Sequence, residues 1–266
     1  VPSETEAVHR RQEPALVQQA LEQIRALDFA VLNLDLMIGL PGQTPQTLLQ
    51  SLHQALRWQP EELYVYPLYV RPFTRLHHPQ DCGRGDDVSL YRTARDFLES
   101  HGYQQVSLRM YRRRDCPSHR GEYVCQRDGM LGLGCGARSY TRELHYSSLY
   151  AVGSKGVGRI LRRYTQTQDF GLADYGYWLN EAEQRRRFAL ISLLSEEGLP
   201  DELYRARFGN GALEDFPVLH DLRSQGWVQG DSHWTLTRDG LEQADSIGPQ
   251  FFSSRVQEAL LQGAAE

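Results

Sequence analysis

Apolar positions in the first half of the chain recur with two alternating periods. In 14–27, "PALVQQALEQIRAL", Leu16, Val17, Ala20, Leu21, Ile24 and Leu27 fall on one helical stripe, and Pro14 suits a first turn. The following "VLNLDLMIGL" switches to period two. Leu32, Leu34, Leu36 and Ile38 share one face, and Asn33, Asp35, Met37 and Gly39 share the other. Thr44 and Pro45 then read as the cap and first residue of a helix whose stripe is Leu48, Leu49, Leu52, Ala55 and Leu56. "ELYVYPLYV" (62–70) reads as a strand and "DVSLYRTARDFLESHG" (87–102) as a helix closed by Gly102. In "QQVSLRMYRR" (104–113), Val106, Leu108 and Met110 alternate with Ser107, Arg109 and Tyr111, a further strand; "MLGLGCGARSY" (130–140) is a Gly-rich strand or loop. This alternation predicts an α/β domain. Strands near 31–38, 63–70, 104–112 and 130–135 should form one sheet, the first three parallel. Helices near 14–27, 45–58 and 87–100 should cover its outer face.

After about residue 142 the texture changes. "GVGRILRRY" and "NEAEQRRRFALISLL" read as helices, the second opened by Asn180 with Glu183 in capping-box spacing. A helix around "FPVLHDLRSQ", then Gly226-Trp227-Val228, a turn at Gly230-Asp231 and Trp234-Thr235-Leu236, outline a helix plus hairpin, and a terminal helix follows near 251–262. The expected organisation is an α/β domain over 1–142 and a mainly helical, winged-helix-like domain over 143–266. No internal repeat or low-complexity tract appears.

Composition narrows the class without naming a chemistry. The chain has 266 residues, 40% of them apolar and 24% charged, within the ordinary range for a globular protein. A net charge of -5 gives no basis for general nucleic-acid binding. No apolar run approaches ~20 residues, so no membrane span is expected. Residues 1–15 are polar and charged, unlike a signal peptide, and the expected location is the cytoplasm. Of the four cysteines, Cys82, Cys116, Cys125 and Cys135, no pair has CxxC spacing, so neither a structural zinc site nor a disulfide framework is expected.

Asp35 is the first candidate for chemistry. A carboxylate in mid-strand, opposite four aliphatic residues, is costly to bury unpaired. It is either a structural group bonded to neighbouring backbone or a ligand-binding one. The turn Gly39-Leu40-Pro41-Gly42 lacks the lysine of a phosphate loop, and Pro41 removes a backbone donor. It reads as a tight βα turn that brings backbone close to a ligand at the strand's C-terminal end. Gly132, Gly134 and Gly136 mark either a Gly-rich turn or the close approach of a ligand or another backbone. No His/Asp arrangement supports Cys135 as a nucleophile. Arg112-Arg113-Arg114 and Arg185-Arg186-Arg187 read as solvated faces, the first with the option of meeting substrate carboxylates from a strand end. His77-His78 reads as an incidental loop pair, and no metal ligand is assigned.

With these residues in hand, the chain resembles a known family. "NLDLMIGLPGQTPQTLLQSL", "YVYPLYVRP" and "GLGCGARSYT" are similar, in order and spacing, to the oxygen-independent coproporphyrinogen III oxidase-like radical S-adenosylmethionine enzymes, and "LTRDGLEQADSIGP" resembles their C-terminal domain. The resemblance implies a partial (β/α) barrel that holds S-adenosylmethionine and a 4Fe–4S cluster, and a 5′-deoxyadenosyl radical that abstracts hydrogen from a substrate. It implies that Asp35 and Arg10 contact S-adenosylmethionine and that Tyr69 and Arg138 line it, mainly through backbone. It also implies a small-molecule substrate, possibly porphyrinogen-like, and an electron donor. Two departures stand out. The cluster motif C-x3-C-x2-C and the glycine-rich segment for the cofactor's methionine end are absent, so the cluster ligands are expected upstream of Val1 in a longer enzyme, with a cluster-free relative as the alternative, and this chain alone is expected to be inactive. Arg138 stands where better-known members carry His, which places the chain on a side branch and leaves its substrate open. Two other classes stay in view. One is a haem carrier without oxidase activity. The other is a winged-helix regulator, against which Glu196, Glu197, Asp201 and Glu202 would repel phosphates.

Overall fold

A computed structural model describes residues 1–70, 85–116, 128–149, 151, 154–173 and 175–263. His77, His78, Cys82 and Cys125 lie outside them. The chain divides into two compact units, one built from Val1–Arg71 and Leu76–Ser118, the other from Pro72–Arg75 and His119–Glu266. The division therefore falls ahead of the Gly-rich segment rather than near 142.

In the first unit, α1 (Pro2–Ala7) and α2 (Pro14–Ala26) precede β1 (Asn33–Ile38), α3 (Pro45–Leu56), β2 (Glu62–Pro67), α4 (Gly85–Ser100), β3 (Tyr103–Gln105) and β4 (Met110–Arg113). The βαβ signals hold. β1 and β2 are parallel, with Asp35 opposite Tyr64 and Met37 opposite Tyr66. Thr44 caps α3, its hydroxyl accepting from the Thr47 amide while the Thr47 hydroxyl accepts from the Thr44 amide. Ile38, Leu48, Leu52, Leu63, Val65, Leu90, Ala94, Leu98 and Tyr111 form one buried cluster between sheet and helices.

The sheet order is β1-β2-β4-β3, and here the expectation of three parallel strands fails. Residues 104–112 are not one strand. The chain reverses between Gln105 and Met110, where the Val106 amide donates to the Met110 carbonyl at 2.8 Å. The result is a tight hairpin, β3 antiparallel to β4, with β4 antiparallel to β2. Strands joined by so short a turn can only run antiparallel, because a parallel return needs a long crossover. The expected strand at 130–135 is absent too. Met130 forms an isolated bridge with Tyr140, and Gly129, Gly134 and Gly136 have positive φ. A Cβ on Gly132 would sit 2.4 Å from the Arg138 carbonyl oxygen, so another backbone, not a ligand, explains that glycine.

In the second unit, β5 (Arg138–Tyr140), β6 (Leu144–Ser147) and β7 (Tyr175–Trp178) make an antiparallel sheet. Further on, β8 (Leu199–Pro200), β9 (Val228–Gln229) and β10 (His233–Leu236) pair in the order β8-β10-β9 beside the helices Glu181–Leu193, Asp201–Phe208 and Val218–Ser224, the winged-helix-like outline. Leu193, Leu199, Tyr204, Leu219, Trp234 and Phe251 are in its core. Asn180 caps its helix by accepting from the Glu183 amide. The run Arg185-Arg186-Arg187 is not a solvated face. Arg185 pairs with Glu181 and Asp215, Arg186 donates to the Phe251 carbonyl, and Arg187 donates to the carbonyls of Thr141 and Arg142. These donor-only side chains satisfy two carboxylates and three carbonyls within the fold. Among the described residues, no helix is long and apolar enough to cross a membrane.

Candidate functional site

The parallel pairing of β1 with β2 puts two sets of side chains on opposite faces. The aliphatic set meets the helices: Ile38, Leu63 and Val65 are fully buried. The other set opens outward, with Asn33, Asp35 and Met37 exposed on β1 and Tyr64 and Tyr66 half-buried beside them on β2. This open face ends at the turn after β1. There the Gly39 amide donates to Gln43 Oε1 at 2.8 Å, and Gln43 Nε2 donates to the Met37 carbonyl and to Glu4 Oε2, each at 3.3 Å. Gly39 and Gly42 both take positive φ, +78° in each, which L side chains adopt only under strain. The turn therefore holds its own backbone through Gln43, an arrangement unlike the nest of free amides in a phosphate loop.

Asp35 is not the buried structural aspartate. Its carboxylate is exposed, and its partner among the described residues is the Asn33 side-chain amide, Nδ2 to Oδ1 3.0 Å. An exposed acceptor with one local donor has capacity for a ligand hydroxyl or amine. Tyr64 and Tyr66 lie nearly parallel, ring centres 5.7 Å apart and planes 12° apart, and the Tyr64 hydroxyl meets Met110 Sδ at 3.2 Å. Arg109, from the β3–β4 hairpin, places its guanidinium carbon 5.7 Å from the Tyr66 ring and 5.3 Å from the Tyr69 ring, and its Nη2 donates to the Tyr69 hydroxyl at 2.7 Å. Burial pushes the Tyr66 phenol above its ordinary value; the Asp35 charge adds to that shift and Arg109 opposes it. Asp35, Tyr66 and Arg109 thus share one electrostatic neighbourhood.

Of the four residues singled out in the sequence, Asp35 and Tyr69 belong to this face. Tyr69 lies beyond the end of β2 rather than within a strand, and it is exposed. Arg10 follows α1 with its amide bonded to the Thr5 carbonyl at 2.7 Å; its side chain is exposed and has no bonded partner among the described residues. Arg138 is in the other unit, exposed on β5 and paired through its backbone with Ser147. Two cations of the run 112–114 are engaged within the fold, and Arg114 is exposed. Arg112 is buried against Glu62 at 3.1 Å, and Arg113 turns to Asp115 and the Gln59 carbonyl. Arg109 was not legible as a site residue, because the straight-strand reading hid the hairpin that aims it.

The chain does not fit a 4Fe–4S cluster by itself. Such a cluster takes thiolate ligands, and no C-x3-C-x2-C occurs in the sequence. Among the described residues, no group of three His, Cys, Asp or Glu could hold a metal ion, and Cys116 and Cys135 are separate thiols. The open face does fit the sugar end of S-adenosylmethionine, since Asp35 offers an exposed acceptor there, though as the third of the six residues of β1 it lies in mid-strand rather than near the C-terminal end.

No family model matches the chain. Relatives do. The heme chaperone HemW of Bacillus subtilis (strain 168) is 26% identical over 250 residues, covering 88% of this chain and 61% of that protein. The oxygen-independent coproporphyrinogen III oxidase of Pseudomonas aeruginosa is 24% identical over 249 residues (85% and 52%), and HemW of Escherichia coli (strain K12) is 24% identical over 241 residues (85% and 59%). This chain thus spans between half and two thirds of the length of these relatives. In structure it is similar to the coproporphyrinogen III oxidase HemN of Escherichia coli, described as a radical SAM enzyme, with a TM-score of 0.73 at 20% identity, covering 94% of this chain and 61% of that one. The α/β architecture is therefore that of the HemN fold, and the chain is similar in sequence to oxygen-independent coproporphyrinogen III oxidases and to heme chaperones.

Proposed function

We propose that this protein is a radical S-adenosylmethionine oxidoreductase of the coproporphyrinogen III oxidase-like kind, and that the open face of β1 and β2 receives the adenosyl part of the cofactor. The observation that carries this reading is Asp35, exposed on a parallel strand as the third of its six residues, with the Asn33 amide as its local donor. Its carboxylate accepts a ribose hydroxyl, Tyr69 lines the ligand through its backbone, and Arg10 adds a cation to the cofactor's surroundings; Arg138, which the resemblance also assigns to the cofactor, belongs to the other unit. When bound, S-adenosylmethionine supplies the adenosyl group from which this family generates a hydrogen-abstracting radical. The substrate is a small molecule of porphyrinogen-like character, reduced equivalents come from an electron donor, and the reaction needs neither nucleic acid nor membrane and belongs to the cytoplasm.

Calorimetric titration of the 266-residue chain with S-adenosylmethionine tests the binding half of this reading. Asp35→Ala should weaken binding by about 1.5–3 kcal/mol, the usual worth of a hydrogen bond to a charged group. Thermal stability should stay nearly unchanged, because an exposed carboxylate contributes little to the core. Unchanged affinity with a large loss of stability would return Asp35 to a structural role.

A second reading, a heme carrier, is favoured by the names of the relatives, among which heme chaperones stand beside oxidases. Titration with hemin separates the two. A saturable Soret shift at one equivalent, with no binding of S-adenosylmethionine, would favour carriage over oxidation.

A further inference from the structure

We infer that Tyr66 is the second ribose-binding residue of the open face: its hydroxyl meets the sugar hydroxyl next to the one held by Asp35. The inference rests on the ligand reading proposed above and adds a residue that the family likeness does not assign.

Three observations carry it. First, Asp35 and Tyr66 share one face. Asp35 is opposite Tyr64, and the next outward residue of β1, Met37, is opposite Tyr66, so Tyr66 lies diagonal to the carboxylate. Second, the two groups are not bridged. The Asn33 amide occupies Asp35 Oδ1, and among the described residues neither Asp35 Oδ2 nor the Tyr66 hydroxyl has a hydrogen bond. Nor is the Tyr66 oxygen enclosed there, unlike the equally unbonded hydroxyls of Tyr111 and Tyr177. The pair is still close enough to interact through charge. Burial raises the Tyr66 pKa, the Asp35 charge raises it further, and Arg109 opposes both. The phenol therefore keeps its proton and can donate it to a hydrogen bond. Third, the ring is held. Its plane is 12° from that of Tyr64 with centres 5.7 Å apart, and the Arg109 guanidinium carbon lies 5.7 Å from its centre. Little ordering remains to be done when a ligand arrives.

A carboxylate only accepts, whereas a phenol donates as well. Side by side they suit two neighbouring hydroxyls, the cis-diol of a ribose, better than a lone hydroxyl. Asp35 accepts from one hydroxyl, and Tyr66 donates to the oxygen of the other. A site built around both rejects an analogue that lacks either, because one polar side chain is then left without its partner. Tyr66 is thus a specificity residue for the sugar and does not touch the reacting atoms.

The test titrates 5′-methylthioadenosine and its 2′-deoxy and 3′-deoxy analogues into the 266-residue chain by calorimetry. The unaltered protein should bind the full ribose at least about threefold more tightly than either analogue. Tyr66→Phe keeps the ring and its stacking. It should weaken the full ribose about threefold to tenfold, with one deoxy analogue unaffected and the melting temperature nearly unchanged. The unaffected analogue identifies the hydroxyl that Tyr66 meets. Asp35→Ala should show the reciprocal pattern, with the other analogue unaffected. Equal weakening of all three nucleosides by Tyr66→Phe, or weakening of none, would overturn the inference whatever the melting temperature does. So would equal binding of the three by the unaltered protein. If Asp35→Ala weakens binding and Tyr66→Phe does not, the cofactor reading stands and this inference falls. If no nucleoside binds the unaltered protein, both fall.

Discussion

His145 shows what a single buried group does to this fold. It lies on β6, half-buried, with its ring 4.8 Å edge-on from Tyr140, and Arg187 Nη1 donates to its Nε2. Burial, and then the neighbouring Arg187 charge, hold its pKa down to about 4. The imidazole is therefore neutral in the folded protein and protonates readily only on unfolding, where its value is near 6.5. Because the folded value is depressed, stability is full above about pH 6.5, falls as the pH drops through the window to 4, and levels below it. With the half-buried setting discounted for screening, about 1 kcal/mol should be lost between pH 7 and pH 5.5. Urea midpoints at those two pH values check this, and His145→Gln, which keeps an acceptor for Arg187 but cannot titrate, should flatten the difference. The 5.5 limit keeps most carboxylate titration out of the comparison.

At the scale of elements, short polar ties decide how helices meet the sheets. Arg25 near the end of α2 donates to the carbonyls of Trp58 and Gln59 and pairs with Glu61 at 3.0 Å, and Glu61 in turn accepts from the Leu32 amide at 2.7 Å. Burial alone would push the Glu61 carboxyl up, but the Leu32 amide and Arg25 outweigh it and hold the group below its ordinary value. Arg25→Ala takes the donor from the Trp58 carbonyl and leaves Glu61 and the Gln59 carbonyl with Arg113 as their cation, and should cost about 1–2 kcal/mol, read from chemical denaturation. In the winged-helix-like unit the tie is steric. A Cβ on Gly240 would lie 1.9 Å from the Trp227 carbonyl oxygen, so helix Arg238–Glu242 sits directly on the hairpin backbone. Gly240→Ala should cost about 1–3 kcal/mol through forced separation of those two segments, despite the better helix propensity of alanine. A rise in melting temperature would show that the contact is not the limiting one.

At the scale of the molecule, what stands out is uncovered apolar surface. In the described sheet β1 is an edge strand, and α2 beside it buries no residue fully, leaving Leu16 at 60% and Leu27 at 67% exposure, with Phe29 and Val31 exposed between helix and strand. A free edge next to an apolar patch is a template for further pairing. The 266-residue chain in isolation should self-associate or bind a hydrophobic dye, as measured by light scattering and dye fluorescence. A monodisperse monomer silent to the dye would mean that this surface is tolerated as it stands.

Much of this was written locally. The periods of 3.6 and 2.0 fixed α2, β1, α3 and α4 to within a few residues, because amphipathic stripes and caps such as Thr44-Pro45 are properties of neighbours in the chain. The opposition of Asp35 to the aliphatic face of β1 was legible for the same reason, as was the helix-plus-hairpin outline around Trp227 and Trp234. Tertiary structure alone decided that residues 104–112 turn back into a hairpin, since a period-two pattern reads the same in one strand or in two antiparallel ones. It decided that Arg112 and the run 185–187 are bound to carboxylates and carbonyls, because a charge in sequence carries no record of its distant partner. It also decided that Arg109 lies against the Tyr66 and Tyr69 rings: such a contact is a product of strand register, and register is set by what packs beneath the sheet.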